Sequence, residues 1–256
     1  MTKTDKYRIY GVKTDIGDND TKQFWNDRAK KYDENNPYVS VKLGDGNPDR
    51  ARRWDEYEKR YILPQINITS NDIVIDVGCG VGRLSEEIIP QCKYYLGTDY
   101  AEELVELARK RITYPGGNYS FAQIALQDIC INNRLIPLEK GKYTVAIIEG
   151  VFPFINDSQI QSCLRNILTI MADSSRIFIA NPVGIAERLT LKKFYSDELE
   201  ADYSIIYRTE DEYMEQFACL SENGFRISAR GDFMAETANN NETKRIFHIF
   251  SRTLIL

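Results

Sequence analysis

Asp72-Ile73-Val74-Ile75-Asp76-Val77-Gly78-Cys79-Gly80-Val81-Gly82 decides the fold. A short apolar run ends in an acid and then breaks into alternating glycines, the pattern of a buried parallel strand entering a tight turn. Arg83 to Ile89 follows with apolar residues at helical spacing, and Pro90 stops the helix. A second apolar strand, Tyr94 to Thr98, ends in Asp99, which places a carboxylate beside the glycine turn, where a ribose diol would bind.

The dinucleotide fingerprint needs glycine at the first, third and sixth positions of its loop, and the sixth position counted from Gly78 is Arg83. A NAD-dependent oxidoreductase therefore lacks its third glycine here. The pattern acid-x-Gly-x-Gly-x-Gly instead resembles motif I of the class I S-adenosylmethionine-dependent methyltransferases, and Gly97-Thr98-Asp99-Tyr100 resembles their next motif. The resemblance implies cofactor contacts at Asp76, Gly78, Gly80, Gly82, Asp99 and Tyr100. Asp76 would order the amino-acid end of S-adenosyl-L-methionine, and Asp99 would accept from its ribose hydroxyls. Glycines there let the backbone approach the ligand closely.

The exit of a third strand, Leu126-Gln127-Asp128-Ile129, resembles the motif in which an acid accepts from the adenine amino group and the next side chain packs on the ring. A fourth strand, Tyr143 to Ile148, ends at Glu149, which faces the crevice at the carboxyl ends of the strands, next to where the methyl group should lie, and is a further candidate cofactor contact. Its exit lacks the Asn-Pro-Pro-Tyr or Asp-Pro-Pro-Tyr sequence of enzymes acting on planar amide or base nitrogens. Asn181-Pro182 occurs only after the fifth strand, Arg176 to Ala180, and is expected to terminate it.

The N-terminal quarter reads as arm and lid. Residues 1–20 are polar and without periodicity, so a draped arm is expected. From Thr21 to Asp33 a helix places Trp25, Arg28, Ala29 and Tyr32 on one face, and this stretch resembles the family's lid; Trp25 and Tyr32 are the candidates to face the sulfonium, since aromatic rings attract cations. Tyr38 lies in the long loop 34–50, a candidate for the substrate. Residues 49–63 read as a helix rich in arginine on one face, either solvated or turned inward to an anion. Residues 183–208 form an insertion where the family commonly carries substrate-recognition helices, and Tyr207 and Arg208 are further substrate candidates. A last helix capped by Thr209 and Glu212 leads to two strands that close the sheet.

The expected fold is thus α/β, a doubly wound, seven-stranded, mostly parallel sheet with a C-terminal antiparallel hairpin and an N-terminal helical lid. Residues 1–66 would form the arm and lid, and 67–256 the cofactor-binding core. With 256 residues, 43% of them hydrophobic, the chain has the size for one such domain with a cap.

The net charge of −5 gives no global basic field for nucleic acid or an anionic membrane. No apolar run reaches the ~20 residues of a membrane span, and the first residues lack a signal peptide's apolar core. A cytoplasmic monomer or homodimer acting on a small-molecule substrate is expected. Five cysteines without a C-x-x-C pair indicate neither zinc nor a disulfide framework, so no metal is expected.

The single histidine, His248, sits mid-strand and reads as structural. Without a histidine base or a metal-binding acid cluster, methylation of an unactivated hydroxyl is poorly served, whereas an unprotonated amine mainly needs alignment. The expected reaction is methyl transfer to an amine nitrogen of an amino sugar or phosphorylated amino alcohol, with surface-polysaccharide synthesis one setting. Glu149 or Tyr32 would orient the amine and take its proton, and S-adenosyl-L-homocysteine would be the product. O-methylation and a non-catalytic S-adenosylmethionine-binding scaffold stay open.

Overall fold

The computed structural model describes residues 7–43, 45–130, 138–233 and 241–253. Its main sheet has seven strands in the order β4 (Tyr119–Gln123), β3 (Tyr94–Asp99), β2 (Ile73–Val77), β5 (Tyr143–Glu149), β6 (Met171–Gly184), β10 (Thr243–Arg252) and β9 (Arg226–Phe233). The first five are parallel, and β10 runs antiparallel to both β6 and β9. The expected doubly wound sheet with a closing hairpin is present.

Its strands are apolar along their length because both faces are covered. Ile75, Val77, Ala146 and Ile148 point to one face, against Ile160, Leu164 and Ile167 of α6 (Asp157–Ile170). Val74, Val145 and Ile147 point to the other, with Val105 and Ala108 of α5 (Glu102–Arg111) and with Ile62, Leu63 and Ile66.

Strand β6 runs through Asn181-Pro182 to Gly184 rather than stopping before them. Its parallel partner β5 pairs only as far as Ala180, so beyond that point β6 is an edge on that side and a proline without an N–H is tolerated.

The insertion departs from expectation. In place of helices it forms a hairpin, β7 (Leu189–Ser196) and β8 (Ala201–Tyr207), whose Leu189, Leu191 and Ile205 make a small core of their own. The N-terminal arm is a third strand of this sheet: β1 (Arg8–Tyr10) pairs antiparallel with β7, and Arg8 reaches Glu242 at 2.6 Å. The free edge of β7 supplies ladder partners to a segment whose sequence has no periodicity.

Helix α1 (Asp18–Ala29) begins three residues earlier than read, with Asp18 and Asp20 in its positively polarised first turn. A short helix α2 (Val39–Lys42) then lies over the glycine loop. It is held from behind by Arg28, whose guanidinium donates to the carbonyls of Val39 and Ser40 (both 2.9 Å) and to the Asp45 carboxylate (2.6 and 2.7 Å). Helix α3 (Pro48–Tyr57) starts on an Asn47 cap and continues as a π turn over Glu58–Ile62. The last helical segment breaks at Phe217 into α7 (Glu210–Gln216) and α8 (Ala218–Glu222). Among the described residues, no helix is long and apolar enough to cross a membrane.

Arg28 is only 2% exposed, and its removal leaves the Ser40 carbonyl without this donor and Asp45, among the described residues, with only Lys31 at 3.9 Å. Arg28→Ala is expected to cost about 3 kcal/mol in urea unfolding and to speed amide exchange across residues 39–43.

Candidate active site

A cavity of about 980 Å³ opens at the carboxyl ends of β2, β3, β4 and β5. Strand β2 delivers Asp76 to its wall, where the Tyr95 hydroxyl donates to the carboxylate at 2.7 Å. Gly78 and Gly80 then turn the chain with φ of 76° and 54°, and both line the cavity. A Cβ at Gly78 would lie 2.4 Å from Val151 Cγ2, and one at Gly80 2.8 Å from Val41 Cγ1, so the loop has no room for side chains beneath α2.

Strand β3 ends in Asp99, which accepts from the backbone N–H of Gly80 (3.0 Å) and of Ala101 (2.9 Å). These bonds hold the carboxylate against the loop. Burial pushes Asp76 up to about 7 against the opposing Tyr95 bond, and pushes Asp99 up to about 6 against its backbone donors.

Tyr100, beside Asp99, lines the cavity with a buried hydroxyl that has no partner. Asp128 lines the same end, with Leu104, Ile124 and Leu126 forming an apolar slot. Trp25 closes it from α1, edge-on to Phe154 at 5.1 Å.

This donor set fits S-adenosyl-L-methionine: carboxylates for its ammonium and ribose ends, an apolar slot for a flat ring, an aromatic wall, and an unpartnered phenol. Asp76, Gly78, Gly80, Asp99, Tyr100, Asp128 and Trp25 would hold it.

Other sequence candidates fall elsewhere. Gly82 has φ of 75° but packs against Ser85 and Ile112, away from the cavity. Ile129 is wholly inside the core formed with α6. Tyr32 packs on Val81, Ala101 and Leu104 and is not part of the lining, so its phenol is not placed to receive a proton there. Tyr38 also lies outside, its hydroxyl donating to Glu86 at 2.8 Å with Lys59 and Arg111 over its ring. Tyr207 does line the cavity, sharing a hydrogen bond with Tyr203.

Arg208 is wholly buried and donates to the carbonyls of Phe152 (2.8 Å) and Ile155 (2.6 Å) and to Asp157. It fastens β8 to the segment after β5, and its guanidinium has no reach left for a substrate. His248 bonds Glu210 at 3.2 Å, also away from the cavity.

Glu149 reaches the wall as read, but in company that changes its chemistry. Lys42 (2.8 Å), Arg245 (2.7 Å) and Arg83 all pair with its carboxylate. Lys42 and Arg83 also pair with Glu58 (both 2.7 Å), and Arg83 with Asp55 at 2.8 Å. Burial alone would raise Glu149, yet Arg83, Lys42 and Arg245 hold it well below the usual carboxylate range. A carboxylate so strongly held in its ionised form is a poor proton acceptor, and its reading as a base is corrected to that of a fixed anion.

Lys42, Arg50, Trp54, Arg83, Tyr203, Phe233 and Arg245 belong to the wall, and of these the sequence suggested only Arg50, as part of a helix face that could turn inward to an anion. Arg245 had a signal: it is in phase with Phe247 and Ile249 on the inward face of β10. Arg50 belongs to the arginine-rich helix face, one side of which does turn inward. Lys42 had none.

Residues 74–174 match the family model described as a methyltransferase domain. A ubiquinone biosynthesis O-methyltransferase of Pasteurella multocida is 30% identical over 112 residues, covering 42% of this chain and 46% of that protein. The chain spans about half or less of the curated relatives it matches. Among solved structures, Haemonchus contortus phosphoethanolamine N-methyltransferase 1, in complex with phosphoethanolamine and S-adenosylhomocysteine, superposes with a TM-score of 0.73 at 16% identity over 93% of this chain and 49% of that one. Magnesium protoporphyrin IX methyltransferase from Synechocystis, with bound S-adenosylmethionine, gives 0.58 at 17% identity over 94% and 100%. At such identities the likeness is one of fold.

The raised carboxyls give opposite pH slopes. Asp76 and Asp99 have higher pKa values folded than unfolded, so the stability they contribute to the unliganded protein is full below about pH 4 and is lost as pH rises through about 6 and 7. A cation and ribose hydroxyls prefer the ionised carboxyls, so affinity for S-adenosylhomocysteine should rise over that window, as calorimetry at a series of pH values would record. A flat or inverted profile would remove these two acids from the binding site.

The glycine loop with its two flanking acids, the strand order and the match over residues 74–174 agree: this part of the chain is similar to a methyltransferase domain, and the whole has the fold of S-adenosylmethionine-dependent methyltransferases.

Proposed function

We propose that the chain is an enzyme that transfers a methyl group from S-adenosyl-L-methionine to a nitrogen of a small polar acceptor, of the amino-sugar or phosphorylated amino-alcohol class. The observation that carries this reading is that the cavity extends beyond the glycine loop into a polar chamber. Its volume lies at the upper end of the ~300–1,000 Å³ usual for ligand sites, enough for a cofactor and a small second molecule.

Bound S-adenosyl-L-methionine would supply a methyl group on a sulfonium, which departs as a neutral thioether. The chain supplies binding and alignment. Asp76 and Asp99 fix the two polar ends of the cofactor, Asp128 its base, and α1 and α2 serve as the cap that keeps water out. Val41 and Trp25 bring that cap over the site.

An amine that arrives unprotonated needs no base before transfer, so holding it in line provides most of the rate increase. The Tyr203 and Tyr207 hydroxyls can accept from its N–H; burial raises both phenols above their ordinary range, so they stay neutral. The absence of histidine from the wall agrees with this. The likeness to a phosphoethanolamine N-methyltransferase supports an amine loosely. O-methylation is the second reading, favoured by the curated O-methyltransferase relative.

Calorimetry should give micromolar binding of S-adenosylhomocysteine and none of NAD, because Arg83 occupies the position of the third glycine. Methyl transfer from labelled S-adenosylmethionine to a panel of amines, and not to matched alcohols, would support the nitrogen assignment. Transfer to alcohols alone would favour the second reading, and binding without any turnover would leave a scaffold. Asp99→Ala should weaken S-adenosylhomocysteine binding by more than about tenfold, ~1.4 kcal/mol.

A further inference from the structure

The charges on the cavity wall are segregated. Asp18, Asp76, Asp99 and Asp128 lie at the cofactor end with Lys22 as its one cation, whereas the far chamber carries Lys42, Arg50, Arg83, Lys244 and Arg245 against Glu149 and Glu198, with Lys244 paired to Asp232. Two of those arginines are arranged alike. Arg245 places Nη2 on Glu149, and Arg50 places Nη2 on Glu198. In each the buried Nε–H has no acceptor. Both guanidiniums also lie against the same indole, that of Trp54, at 5.6 Å for Arg50 and 6.0 Å for Arg245, and Phe233 flanks Arg245 at 5.4 Å.

Among the described residues each of the two arginines has one ion-pair partner, but the carboxylate of Arg245 is shared with Lys42 and Arg83, which have Glu58 and Asp55 as further partners, whereas Glu198 is not shared in this way. A guanidinium is a fixed fork of five donors shaped for the oxygens of a carboxylate or phosphate, and stacking on aromatic rings holds it ready without blocking its edge. Every cation of the chamber has a carboxylate partner, and what remains among the described residues is two guanidinium donors, the Nε–H groups of Arg50 and Arg245, without an acceptor.

We propose that this chamber is an anion subsite for the methyl acceptor, in which Arg245 and Arg50, packed on Trp54, bind a phosphate or carboxylate carried by the same molecule whose nitrogen is methylated. The proposal rests on the methyl-transfer reading above and narrows it: the acceptor is an amine with an acidic group, not a neutral amino sugar. The acidic end of the cavity receives the cationic cofactor and the basic end receives the acceptor's anion, which fixes the acceptor's direction.

The test is calorimetric titration of the full chain, with and without saturating S-adenosylhomocysteine, using 2-aminoethylphosphonate, β-alanine and ethanolamine as probes. At least one anionic probe should bind about tenfold or more tighter than ethanolamine, and whether it is the phosphonate or the carboxylate identifies the group. Arg245→Gln should abolish that preference, and Arg50→Gln, which lies outside the Glu149 network, should leave S-adenosylhomocysteine affinity within about twofold. Arg50→Gln, at the more exposed position, should reduce the preference and serves if the first variant does not fold.

Equal binding of ethanolamine, no binding of either anionic probe at millimolar concentration, or a preference that survives Arg50→Gln and Arg245→Gln would each overturn the subsite. Loss of S-adenosylhomocysteine binding in the unaltered protein would overturn the methyl-transfer reading instead, and the probe titration without that ligand still reports on the anion.

Discussion

One buried carboxylate, Glu149, holds together three parts of the chain that are far apart in sequence. Lys42 comes from the cap, Arg83 from just past the glycine loop, and Arg245 from the closing strand. Removing such charges from water costs several kcal/mol per ion, and mutual attraction offsets that only if every member keeps its partners. The network is thus all-or-none in character. Cap, loop and hairpin each occupy their positions because the other two supply the countercharge, and the floor of the acceptor chamber is their meeting point.

The same constraint explains why Arg83 stands where a dinucleotide site would have glycine. Its side chain turns away from the loop to Asp55 and Glu58, and so anchors the π turn at Glu58–Ile62. π turns are costly and are found mostly where a side chain must be aimed. Here the turn begins with Glu58, which lies between Lys42 and Arg83.

The cofactor half was legible in the sequence because its signals are local. Asp76, the glycines, Asp99 and Asp128 each follow directly from a strand exit, and continuous apolar runs identify the strands themselves. The acceptor half was not, because it is assembled from segments with no mutual signature: a lysine in a four-residue helix, an arginine in an arginine-rich helix, and another in the last strand. Glu149 could be placed but not interpreted, since its ionisation depends on cations more than sixty residues away on either side. The insertion was misread for the opposite reason. Its position in the family suggested helices, whereas Leu189, Leu191 and Ile205, at strand spacing, favoured the hairpin that forms.

The pairing of β1 with β7 has a consequence for the order in which the molecule is made. Arg8 stands opposite Leu191, so strand β1, once synthesised, waits for a partner roughly 180 residues behind it. At ~5–20 residues per second that is on the order of 10–40 s. Strands β2 to β5 can pair meanwhile, for their contacts are nearer in sequence and close at lower entropic cost. The cofactor half can thus take shape early in translation, while the wall of the acceptor chamber is completed only when Arg245 and the last strand arrive.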